Sequence, residues 1–128
     1  MEPLQHETLT IHIEHQPGAL IARWKGKSAS REPGKVLTPW FDQLLQEASD
    51  RGARLQMHFE ALEHFNSSTI AALIQLMNRA RHEGVALTLV YDAGQKWQSL
   101  SFDALQRAVR VFDSSGGPGV QFMTSERR

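Results

Sequence analysis

The sequence predicts an α/β fold: one domain of residues 1–128, built on a mixed β-sheet of about five strands with its helices mainly on one face. Three observations predict it. Segments of period-2 and period-3.6 hydrophobicity alternate along the chain in the order β, β, α, β, α, β, α, β. A Gln16-Pro17-Gly18 turn signal joins the first two apolar runs into a hairpin, which makes one antiparallel pair. The run Ala86-Leu87-Thr88-Leu89-Val90-Tyr91 is continuous rather than alternating, as expected of a central strand parallel to its neighbour.

The elements follow in order. Residues Met1 to Glu7 are polar and are expected to fray, as is the tail from Thr124 to Arg128. Leu9, Ile11 and Ile13 alternate with Thr10, His12 and Glu14, giving a half-buried strand, and Ala19 to Trp24 returns as the second. From Gly26 to Lys35 the composition turns to Gly, Ser, Lys, Arg, Glu and Pro, which reads as a mobile connection. Thr38 as N-cap and Pro39 at the first helical position open a helix that Gly52 stops, with Leu37, Trp40, Phe41, Leu44, Leu45 and Ala48 as its apolar stripe.

Leu55, Met57 and Phe59 alternate as a strand, although Phe59-Glu60-Ala61-Leu62 blurs its end. The polar turn Phe65-Asn66-Ser67-Ser68-Thr69 follows. Ile70, Leu73, Ile74, Met77 and Ala80 then recur at helical spacing until Gly84. After the central strand, a third helix from about Gln95 to Phe112 presents Trp97, Leu100, Leu105, Ala108, Val109 and Phe112. Ser114 to Gly119 reads as a loop, and Val120 to Met123 as a short edge strand. Two early strands in a hairpin and later βαβ units with right-handed crossovers require a mixed sheet.

Composition narrows the function classes. Hydrophobic residues make up 41% of the 128 residues and charged ones 22%, enough for a core and against disorder. Lys plus Arg equals Asp plus Glu at 14 each, so no net field draws the chain to nucleic acid or to an anionic membrane. The absence of cysteine removes disulfides, thiolate metal sites and cysteine nucleophiles. With no apolar leader and no spanning-length apolar run, the expected setting is the cytoplasm, without membrane contact.

The chemistry-bearing stretch is Asn66-Ser67-Ser68-Thr69. Three hydroxyl residues after an asparagine stand where a helix needs acceptors for its first unpaired N–H groups, and where a phosphate is electrostatically favoured. Helix capping alone accounts for such a cluster. A triad of Ser67, His64 and Asp92 is conceivable for a small serine hydrolase, yet the Gly-x-Ser-x-Gly elbow is missing. His58, His64 and His82 show no metal-ligand spacing within one element, and Gly116-Gly117-Pro118-Gly119 lacks the lysine and the following helix of a phosphate loop. No cofactor and no metal are expected.

A strand, then an acidic or amide residue followed by Ser-Ser, then a helix, in a chain of this length, resembles the STAS domain family of anti-sigma-factor antagonists, which are cytoplasmic bacterial regulators. The family's turn reads Asp-Ser-Ser-Gly-Leu-Gly; the matching positions here are Asn66, Ser67, Ser68, Thr69, Ile70 and Ala71, so that Asn replaces Asp and Thr69 and Ala71 replace the two glycines. His82-Glu83-Gly84-Val85-Ala86-Leu87 resembles the family's helix end and following strand. Phe65-Asn66-Ser67-Ser68 is also similar to a related branch of small bacterial regulators with Phe-Asn-Thr-Ser-Ser at this point. There, a dedicated kinase and phosphatase act on the hydroxyl, and the bare form acts on a diguanylate cyclase.

The resemblance implies that Ser67 accepts a phosphate, with Ser68 and Thr69 as second candidates, and that Phe65, Asn66, Ser67, Ser68, Thr69 and Ile70 form a partner-binding surface; Met77 or Arg81 would extend that patch along the helix, the alternative being that both face the core or bulk solvent. The implied partners are a serine/threonine kinase of anti-sigma type, a phosphatase or a diguanylate cyclase, with a weak homodimer as a further option and no catalytic activity. The alternatives are a constitutive STAS-type scaffold or ligand-sensing module that is never phosphorylated, and the small hydrolase.

Overall fold

The computed structural model describes residues 1–112 and 120–125, apart from the side chains of residues 109–112. The expected Ser114 to Gly119 loop, the last three residues, and the side chains of Val109 and Phe112 lie outside the described residues. Among the described residues, six strands and three helices follow in the order β1 (Leu4–His6), β2 (Leu9–Gln16), β3 (Ala19–Ser28), α1 (Gly34–Arg51), β4 (Arg54–Phe65), α2 (Ser67–Glu83), β5 (Leu87–Tyr91), α3 (Lys96–Phe112) and β6 (Val120–Thr124).

The strands lie side by side in chain order. β1–β2 and β2–β3 are antiparallel, while β3–β4, β4–β5 and β5–β6 are parallel. Three successive parallel crossovers stepping the same way across a sheet, all right-handed, place their helices on one face. There Leu20, Ala22, Trp24, Leu55, Met57, Phe59, Leu87, Leu89 and Tyr91 meet the stripes of the helices in one core. Glycines in the left-handed conformation end α1 at Gly52 and α2 at Gly84, as the sequence indicates.

Four expectations are corrected. Residues 4–6 do not fray but pair with β2, because Leu4 buries its side chain in the core. The expected polar connection begins later than composition suggests, since β3 runs through Lys25, Gly26 and Lys27 to Ser28. Gly26 is what permits this: its φ is +90°, and a Cβ there would stand 1.9 Å from the carbonyl oxygen of Thr8.

The first helix starts one turn before Thr38, at Gly34, leaving Pro39 inside it. Burial of Leu37 against the core draws that turn into the helix, and Pro39 sits on the exposed side. In α3 the apolar phase differs from expectation. Leu105 is buried as expected, but Leu100 is 62% exposed, whereas Phe102 and the polar Gln98 are buried. Gln98 is admitted because its hydrogen bonds are met: Oε1 accepts from Asp92 N at 2.8 Å, and Nε2 donates to the Phe59 and Leu62 carbonyls at 2.7 and 3.1 Å.

Those two carbonyls belong to the blurred stretch of β4. Against β3 the register slips twice, from Arg23↔His58 to Lys25↔Ala61 and again from Gly26↔Leu62 to Lys27↔His64. The buried positions accordingly change phase from Leu55, Met57 and Phe59 to Leu62 and Phe65. The last matched pair is Ser28↔Phe65. Parallel strands β3 and β4 thus end together, and the polar turn begins beside the exit of β3.

Candidate functional site

The site is built where β4 passes into α2. Asn66 has extended backbone (φ −92°, ψ 175°) and caps the helix, its Oδ1 accepting from Thr69 N at 2.9 Å. The same oxygen accepts from Thr69 Oγ1 at 2.8 Å. With that proton committed, Thr69 Oγ1 accepts from Ser28 Oγ at 2.7 Å. The Asn66 amide nitrogen donates to the Ser30 carbonyl at 2.8 Å, and Asn66 N donates to the Ser28 carbonyl at 3.1 Å. A buried chain of hydroxyls and one amide therefore joins the helix cap to the end of β3. Opposite partners at the two ends of the Asn66 side chain leave one consistent amide orientation.

Burial sorts the predicted residues. Ser67 and Ser68 are exposed in the first turn of α2, and Ile70 is half-buried. Thr69 is 0% exposed and hydrogen-bonded, so it is a structural member of the turn and offers no accessible hydroxyl. Phe65, expected in the docking surface, is only 5% exposed. Its ring packs edge-on against Trp97 at 5.4 Å between centroids, with Phe102 at 5.6 Å and Phe59 at 6.5 Å. Met77 is likewise buried and faces the core, while Arg81 is half-buried in the last turn, a helix length from Ser67. The apolar surface imagined around Ser67 is thus reduced to Ile70.

The first turn of α2 contains no acidic residue, and its last turn carries Arg81 and His82. Charge is therefore arranged so that the N-terminal end keeps its positive dipole uncompensated. Ser28 and Ser30 carry no sequence signal that marks them as part of this turn, since they lie 38 and 36 positions before Asn66. Ser28 is 3% exposed, and a serine at a strand's end announces nothing by itself.

The other candidate chemistry is taken up elsewhere. Asp92 closes the turn before α3, its Oδ1 accepting from Gly94 N at 2.9 Å and its Oδ2 from Gln95 Nε2 at 3.2 Å. His64 is exposed on β4 and His82 is exposed at the end of α2. His58 sits between Gln56 and Glu60, within 3.1 Å of the Gln56 Oε1 and 3.2 Å of the Glu60 Oε1. Among the described residues, no group of three or more His, Cys, Asp or Glu is arranged to hold a metal ion, and no helix is long and apolar enough to cross a membrane.

No protein-family model matches the chain, and no curated protein matches it by sequence. Solved structures do match in three dimensions, and they define its class: the chain has the STAS-type, SpoIIAA-like fold. An anti-sigma factor antagonist from Mycobacterium paratuberculosis aligns with TM-score 0.55 at 15% identity, over 78% of this chain and 81% of that one. An uncharacterized protein with a SpoIIAA-like fold from Shewanella loihica aligns with TM-score 0.53 at 15% identity, over 98% and 91%. A chain from the crystal structure of the diguanylate cyclase SiaD in complex with its activator SiaC, from Pseudomonas aeruginosa, aligns with TM-score 0.59 at 15% identity, over 96% of this chain and 98% of that one. The six-stranded sheet exceeds the expected five by β1.

Proposed function

We propose that the chain is a cytoplasmic regulator without a catalytic site of its own, which acts by docking to another protein and is switched by reversible phosphorylation of Ser67. One observation carries the reading. In a fold of the anti-sigma-antagonist type, Ser67 is exposed at the N-terminus of α2, while the Thr69 hydroxyl beside it is buried in the cap. Ser67 is the better placed hydroxyl and Ser68 the second choice.

A phosphate on Ser67 adds roughly −1.5 to −2 charges at neutral pH. It would meet the positive end of the α2 dipole and the unpaired N–H groups of the first turn, with no carboxylate there to oppose it. The cap does not have to open, because Asn66 already holds both Thr69 donors. The fold tolerates the charge, so the effect falls on the partner, whose surface must desolvate a dianion to dock. A diguanylate cyclase is present in the solved complex that supplies one similar chain, and an anti-sigma type kinase and a phosphatase are proposed beside it from the resemblance of the Asn66-Ser67-Ser68 turn to the STAS family. A weak homodimer is compatible with the same surface.

Site-resolved mass spectrometry of the chain isolated from its own cells, with and without phosphatase treatment, tests the reading. The expected result is phosphate on Ser67 that is lost with phosphatase and absent in Ser67→Ala. Unmodified Ser67 and Ser68 across growth conditions would refute the switch and leave a constitutive docking module. Covalent labelling of Ser67 by an electrophilic serine probe would instead indicate a hydrolase.

A further inference from the structure

Asn66 does more than a helix cap requires. A cap needs one acceptor, and Asn66 Oδ1 supplies it to Thr69 N. The donation from Nδ2 to the Ser30 carbonyl at 2.8 Å belongs to a different segment, the stretch that leaves the sheet after Ser28. Ala29, Arg31 and Glu32 of that stretch are exposed. Its far end is held by α1, where the Glu32 and Pro33 carbonyls accept from Lys35 N at 3.2 Å and Leu37 N at 2.7 Å. Its near end is held by the turn, through Asn66 N on Ser28 and Nδ2 on Ser30. Glu32 is paired with Lys35 at 2.7 Å, whereas Arg31 has no ion-pair partner among the described residues.

We infer that Asn66 is a positioning residue that holds the Ala29–Glu32 segment in register with the first turn of α2, so that a partner reading Ser67 meets both segments as one surface and a phosphate on Ser67 is felt at Ser30 and Arg31. The inference rests on the phosphorylation reading above and names the second half of its surface. An aspartate at this position would keep the acceptor for Thr69 and lose the donor for Ser30, setting a carboxylate against a carbonyl. The amide is therefore the group that couples the two segments, and capping alone does not call for it.

The test uses the full chain with phosphoserine installed at position 67 during translation, in the native sequence and in Asn66→Ser, which keeps a neutral cap acceptor. Amide chemical shifts are read by nuclear magnetic resonance. In the native chain, phosphorylation shifts the Ser30 and Arg31 amides together with those of Ser67 to Ile70. In Asn66→Ser the response at Ser30 and Arg31 is lost, because the Ser30 carbonyl no longer accepts from residue 66. Asn66→Asp is the second variant, and the same loss is expected of it if the serine cap proves too short to fold.

A native response confined to residues 67–70, or an equal response at Ser30 and Arg31 in the variants, overturns the inference. Because the phosphate is installed without a kinase, that outcome is independent of whether Ser67 is modified in cells. Absence of the modification in cells, conversely, does not bear on this coupling.

Discussion

Thr69→Val tests the buried hydroxyl chain most directly. Valine keeps the shape and β-branching of threonine, and Asn66 Oδ1 still accepts from the residue-69 N–H, so the helix cap survives. What is lost is the oxygen between Ser28 Oγ and Asn66 Oδ1, at 2.7 and 2.8 Å. The Ser28 hydroxyl, in a residue 3% exposed, then has a donor proton facing a methyl group. Leaving a buried polar group unsatisfied costs about 1–3 kcal/mol, so a loss near 2 kcal/mol is expected. Ser28→Ala should cost less, about 1 kcal/mol, because Thr69 Oγ1 keeps its donation to Asn66 Oδ1. The double variant removes both ends of the bond together. It should lie near the Thr69→Val value rather than at the sum, giving a coupling of about 1 kcal/mol. Equilibrium urea unfolding reads all four proteins, with a midpoint shift of about 1 M for Thr69→Val at unchanged slope. Strict additivity, or a Thr69→Val loss under about 0.5 kcal/mol, would show that the hydroxyls do not hold the turn to β3.

Two further substitutions separate surface from core. Ser67→Asp places a carboxylate at the exposed N-terminus of α2 and should leave stability unchanged or raise it by about 0.3–1 kcal/mol in low-salt unfolding; a loss above about 1 kcal/mol would mean that charge at this position acts by opening the fold. Phe65→Ala should cost about 3–5 kcal/mol, since the ring is 5% exposed among Phe59, Trp97 and Phe102; a thermal midpoint within a few degrees of native would return that ring to the docking surface.

Most of the architecture was legible because its signals are periodic and local. The stripe of α1 from Leu37 to Ala48 coincides with its buried residues, and Gly52 and Gly84 end their helices in the conformation only glycine adopts easily. The hairpin and the parallel central strand followed from a turn dipeptide and from continuous hydrophobicity. The misreadings share one cause, which is that burial was decided by a partner distant in sequence. Gly26 marks a close approach to Thr8, not a loop, and Gln98 is buried because two β4 carbonyls past the last pair with β5 accept from its amide. Leu100, apolar and outward, completed a helical stripe on paper that the sheet never covers.

The turn itself shows why the site was only half readable. From sequence, Asn66 and Thr69 are departures from an Asp-Ser-Ser-Gly pattern, and each looks like a loss: of a charge in one case, of backbone freedom in the other. In the fold they act as a pair. A glycine at position 69 has no hydroxyl to place between Asn66 Oδ1 and Ser28 Oγ, and an aspartate at position 66 has no donor for the Ser30 carbonyl. With asparagine and threonine together, the turn is tied at two points to the chain leaving β3, and its two exposed serines stand on a rigid base. Rigidity matters for a docking surface, because every side chain or loop ordered beforehand removes about 0.5–1.5 kcal/mol of cost from association. Asparagine and threonine thus make this turn neutral and tie it to β3 before any partner arrives, and on the proposed reading a phosphate on Ser67 would be the dominant charge of that turn.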